Sequence, residues 1–129
     1  MADPASRPSI FDEHCSARHA LELVSGKWAI LAIVALIEGP MRNGALLRRI
    51  GGVSQKMLTQ TLRDLEINGL VIREDCRAVP PHVEYRLSPL GRSLSDALAV
   101  LDRWAERNFA EIDAARARHG QAGSEPPLT

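Results

Sequence analysis

Ser54-Gln55-Lys56-Met57-Leu58-Thr59-Gln60-Thr61-Leu62-Arg63-Asp64-Leu65-Glu66-Ile67-Asn68-Gly69 is the stretch that decides the fold. Serine is a good helix N-cap and glycine a good helix stop, so a helix is expected over about Gln55 to Asn68. At ~100° per residue, Leu62 and Leu65 fall within about 40° of Leu58 and make an apolar face. Lys56, Thr59, Gln60 and Arg63 gather on the other side, between roughly 100° and 200°. That side offers two cations, an amide and a hydroxyl, with no acid among them.

Towards the N-terminus, Asn43 to Arg49 reads as a short helix closed by Gly51-Gly52. A short helix, a glycine turn and a capped helix have the spacing of a helix-turn-helix. Further back, Lys27 to Leu36 is apolar nearly all round, which predicts a buried central helix, stopped by Glu38-Gly39-Pro40. A first helix is expected over about His14 to Val24, with Ala17, Ala20, Leu21 and Val24 at helical spacing.

Towards the C-terminus the period changes after Gly69. Leu70 to Arg73 reads as a strand, Asp75 to Pro81 as a polar turn, and Val83, Tyr85 and Leu87 alternate with Glu84, Arg86 and Ser88. A helix-turn-helix followed by such a hairpin is a winged helix-turn-helix, so the expected class is mainly α with a small β-hairpin. Ser88-Pro89 opens a last helix reaching about Arg118, with a stripe of Leu90, Leu94, Leu98, Leu101, Trp104, Asn108 and Ile112. At ~1.5 Å per residue it is about 40 Å long, more than a small domain covers. Leu94, Leu98, Leu101 and Trp104 are therefore expected at a homodimer interface.

The chain has 129 residues, 45% apolar and 25% charged, which suits one ordinary domain and excludes a disordered chain. Residues 1–12 are expected to form a flexible arm, 13–118 the folded domain and 119–129 a disordered tail. The longest apolar run, Trp28 to Ile37, has 10 residues, about half of a membrane span. No targeting core follows Met1 to Arg7, and the two cysteines are too few for a disulfide scaffold. A cytoplasmic, non-membrane protein is expected. Net charge is +0, yet seven cations and four anions lie between Arg42 and Arg77, a local excess of +3. Most cations are arginine, the better side chain for bidentate contacts to phosphate or guanine.

These segments resemble the HxlR-type winged helix-turn-helix transcription regulators, a bacterial family related in architecture to the MarR regulators. The resemblance rests on Ala20 to Trp28, Arg48 to Arg63, Leu65-Glu66, Gly69-Leu70-Val71, Pro80-Pro81-His82-Val83-Glu84-Tyr85, Leu90-Gly91 and Trp104-Ala105-Glu106. It covers about Cys15 to Asn108. One departure is Arg42-Asn43-Gly44-Ala45-Leu46, where the family often has arginine, phenylalanine, a polar residue, glutamate and leucine. Arg42 is kept, and the resemblance implies a DNA-backbone contact there. It also implies that Cys15 acts as a redox or electrophile switch, and thiolates are in general favoured near helix N-termini.

On this view the partner is double-stranded DNA. Gln55 and Gln60 suit adenine edges, Lys56 and Arg63 suit guanine or phosphate, Ser54 and Thr59 offer hydroxyls, and Arg73, Arg77 and His82 flank a wing that reaches the minor groove or adjacent backbone. A repressor on an inverted repeat is the favoured sense, with a small molecule or an electrophile as effector. The alternative is a winged-helix module that binds protein rather than DNA, which the neutral total charge favours. No enzyme is expected, since the chain has no glycine-rich phosphate loop, no G-x-S-x-G elbow and no paired-histidine motif. No cofactor is expected. No metal site is expected either, because Cys15 and Cys76 stand 61 positions apart and the four histidines are scattered.

Overall fold

Five helices and three short strands make up the described residues, 9–122, of the computed structural model. In chain order they are α1 (Ser16–Ser25), α2 (Lys27–Leu36), β1 (Met41–Arg42), α3 (Asn43–Arg49), α4 (Gln55–Ile67), β2 (Val71–Cys76), β3 (His82–Leu87) and α5 (Pro89–Ala122). The chain divides into two units, one ending at Ser95 and the other beginning at Asp96.

In the first unit the core is aliphatic. Ile33 of α2, Leu46 of α3 and Leu58, Leu62 and Leu65 of α4 are its largest fully buried side chains. Small residues Ala29, Ala32 and Ala35 on α2 are buried too, which lets neighbouring elements approach closely. The burial of α2 is incomplete, however: Leu31 is exposed, as is Ile37 at its C-cap. Helix α1 buries none of its residues, and Ala20 and Leu21 of its expected stripe lie open.

Both ends of α4 are fixed by the residues that announced them. The Ser54 Oγ accepts from the Met57 N–H at 3.1 Å, an N-cap bond that satisfies one orphan donor. At the other end Gly69 takes φ +77°, Gly69 N–H donates to Glu66 O at 3.0 Å and Leu70 N–H to Leu65 O at 2.9 Å. That pair of bonds is a Schellman motif, and its apolar partners Leu65 and Leu70 are both buried.

Strands β2 and β3 pair antiparallel in the register Val71↔Leu87 to Cys76↔His82. Strand β1 was not legible in the sequence. Its two residues pair with β3 as Met41↔Tyr85 and Arg42↔Glu84, so the wing is a three-stranded sheet in the order β1-β3-β2. The sheet meets the start of α5 through Ser88, whose N–H donates to Leu70 O at 3.0 Å. The Ser88 Oγ donates to Gly69 O and accepts from Gly91 N–H at 2.9 Å.

In the second unit the helix continues past the expected end at Arg118 to Ala122. Residues 123–129 lie outside the described residues, as do 1–8. Residues 9–12 of the expected arm are built into turns: Asp12 N–H donates to Ser9 O, and Cys15 N–H to Asp12 O, each at 3.0 Å. Among the described residues no single helix is long and apolar enough to cross a membrane.

Candidate nucleic-acid interface

Helix α4 presents two opposed faces. Leu58, Leu62 and Leu65 are buried, while Gln55, Lys56, Thr59, Gln60 and Arg63 are all exposed. Among the described residues neither Lys56 nor Arg63 is in an ion pair. Gln55 donates to Thr59 Oγ1 at 2.9 Å, a bond within the face that orders both side chains. The face is not wholly without acid. Gln60 Nε2 donates to Asp64 Oδ1 at 2.9 Å, so half-buried Asp64 borders it. The bond occupies one amide proton and leaves the second, with the carbonyl, for another partner.

The remaining predicted contacts divide. Arg42, on β1 and at the N-cap position of α3, is exposed. Arg73 and Arg77 are exposed on the wing, and Arg73 pairs with Asp75 at 3.3 Å. His82 points the other way: its side chain is 15% exposed, bonded to Glu84 Oε1 at 3.2 Å and to Pro80 O at 3.3 Å. Arg48 and Arg49 sit in the last turn of α3, where they complement the helix dipole. Arg49 also pairs with Glu38, and this bond and charge hold the Glu38 carboxyl below its ordinary value and the guanidinium above its own.

A helix turned outward by its own core, preceded by a short helix and followed by a basic hairpin, has counterparts in known proteins. The profile of the HxlR-like helix-turn-helix family matches residues 23–113. The chain belongs to this family. It is 46% identical over 108 residues to YtfH, an uncharacterized HTH-type transcriptional regulator of Escherichia coli K12, covering 84% of this chain and 86% of that protein. Among solved structures it is similar to ytfH of Salmonella typhimurium, described as a transcriptional regulator, with TM-score 0.78 and 43% identity over 86% of this chain and 99% of that one. It is also similar to the redox regulator HypR in its oxidized form, with TM-score 0.68 and 36% identity over 73% of this chain and 97% of that one. For the reduced form the values are 0.70 and 34%, over 76% and 97%. The chain is thus an HTH-type transcriptional regulator with a winged-helix fold.

Elsewhere in this HxlR-like regulator, α1 begins at Ser16, two residues after the expected start, so Cys15 takes its N-cap position and is 9% exposed. Trp28 is half-buried, with the Lys27 ammonium 4.5 Å from its ring centroid. It borders a cleft of about 180 Å³ with Leu23, Gly26, Met57 and Asp64. Trp104 is 49% exposed, as is Leu101, whereas Leu98 is buried within the chain and Leu94 half-buried. Inside the wing the pairing Cys76↔His82 brings a thiol, an imidazole and the Glu84 carboxylate together, a cluster that linear spacing had hidden.

Proposed function

We propose that this regulator binds duplex DNA as a homodimer and represses transcription, with α4 of each protomer in the major groove. One observation carries the reading: the polar face of α4 is exposed along its whole length while its opposite face is locked into the core. An N-capped helix held at both ends has the rigidity that base readout needs. Gln55, Gln60, Lys56 and Arg63 supply donors and acceptors for base edges or phosphates, Ser54 and Thr59 hydroxyls for the backbone, and Arg42, Arg73 and Arg77 contacts on either side. The exposed stripe containing Leu101 and Trp104 supports pairing with a second copy. Half-sites then lie about one helical turn apart.

Selection of bound DNA from a random pool, with and without a thiol oxidant, tests the proposal. An enriched inverted repeat is the expected result, and no enrichment even at low salt refutes it. Lys56→Ala combined with Arg63→Ala separates DNA binding from the protein-partner alternative that the zero net charge favours. Affinity for the selected DNA falls, and the slope of log K against log salt decreases by about 2. A protein partner seated on another face is unaffected.

Similarity to HypR, a redox regulator solved in oxidized and reduced forms, supports a redox effector response, with Cys15 as the thiol assigned to it here. Cys15 is 9% exposed, so its oxidation requires local exposure of the thiol. The oxidant arm of the selection, repeated with Cys15→Ser, reads this directly: loss of binding on oxidation in the parent and not in the variant.

A further inference from the structure

We propose that the wing holds a divalent zinc ion between Cys76, His82 and Glu84. The thiol sulfur, an imidazole nitrogen and a carboxylate oxygen all lie within 4.8 Å of one another. They come from the open ends of two paired strands, Cys76 directly across from His82 and Glu84 two residues further along β3. Zinc bonds of ~2.0–2.3 Å to N, O and S imply donor separations of about 3.3–3.8 Å around a tetrahedral ion. His82 Nε2 and Glu84 Oε1 already stand at 3.2 Å. Only the sulfur has to close in, by about 1.5 Å at most.

The chemistry of the cluster favours an ion over the donors alone. His82 Nδ1 lies 3.3 Å from the Pro80 carbonyl, and an N–H donated there leaves the Nε2 lone pair facing the Glu84 carboxylate. Two lone-pair bearers at that distance need a cation between them, either a proton or a metal. A backbone carbonyl on the far ring nitrogen is also the usual outer partner of a metal-bound histidine. Zinc binding releases the Cys76 thiol proton to solvent, together with any proton shared by His82 and Glu84. The thiolate then bonds the metal, and water takes the fourth position. Access is available, since the Glu84 side chain is 35% exposed and Cys76 is half-buried.

Without a metal the cluster disfavours the thiolate. Partial burial pushes the Cys76 thiol up, the Glu84 and Glu74 carboxylates add to this, and Arg42 on β1, beyond β3, opposes it. Affinity therefore rises with pH, as the thiol proton becomes easier to displace. Thiolate, imidazole and carboxylate together match borderline-soft zinc better than magnesium or calcium, which take oxygen donors. Closure of the ion across the strand ends fixes the loop of residues 77–81, and with it Arg77.

Cobalt titration of the full chain carrying Cys15→Ser, where Cys76 is the remaining thiol, tests the site. Folding of each variant is verified by far-ultraviolet circular dichroism. The expected result is one cobalt per chain, with a sulfur-to-cobalt charge-transfer band that zinc abolishes stoichiometrically. Cys76→Ser eliminates the band, and His82→Ala and the isosteric Glu84→Gln each weaken binding at least tenfold. Absence of the band at millimolar cobalt, its survival in Cys76→Ser, or unchanged affinity in folded Glu84→Gln overturns the proposal.

Discussion

Two glycines have opposite requirements. Gly91, in the first turn of α5, lies so close to the backbone of the α4–β2 junction that an added Cβ stands 1.9 Å from Leu70 O. Gly44 in α3 has room, its nearest neighbour being the flexible end of Arg48 at 3.4 Å. Gly91→Ala is expected to destabilise the protein by about 2 kcal/mol or more through overpacking against backbone. Gly44→Ala is expected to stabilise it by about 0.5–1 kcal/mol through helix propensity. Urea unfolding of the two variants beside the parent gives both signs. The contrast is invisible in sequence, because both glycines read as weak helix positions and only the tertiary approach of Leu70 distinguishes them. Asp64 was legible in principle. It falls about 40° beyond Gln60 on the helical wheel, so a polar face closed at Gln60 stops one residue short of its acid.

Elements with chemical punctuation were readable to within a residue. Helices α2 and α3 occupy the expected spans, and α4 ends one residue early because Asn68 takes the C-cap position. Their limits lie in local groups: Gly26, Ser54, Gly69 and the Glu38-Gly39-Pro40 break. Strand β1 is different, since two residues have no periodicity and gain their identity only from pairing with distant Tyr85 and Glu84. The Cys76–His82–Glu84 cluster depends likewise on hairpin register, which a turn of uncertain length does not fix. Ser88 shows how a single cap joins elements. Ser88→Ala removes the acceptor of Gly91 N–H and the donor to Gly69 O in a buried setting. A loss of about 1–3 kcal/mol is expected, measured by denaturant midpoint at unchanged slope.

For the molecule as a whole, the apolar residues left open on the described part of α5 matter most. Leu101, Trp104, Phe109 and Ile112 are exposed along one helix, and a lone chain gains nothing from keeping them in water. Leu101→Asp with Trp104→Glu is expected to convert a dimer to a monomer in sedimentation equilibrium and to abolish binding to a two-half-site DNA. An unchanged mass for the double variant refutes the assignment. The Gly69-Leu70 dipeptide donates the last bonds to the carbonyls of α4, and its own two carbonyls accept both bonds donated by Ser88. One peptide junction thus works as a pivot shared by the reading helix, the wing and the opening turn of the final helix. On the proposed reading of α4, a twist of that opening turn is expected to reach the helix as a tilt, because only two hydrogen-bonded residues stand between them.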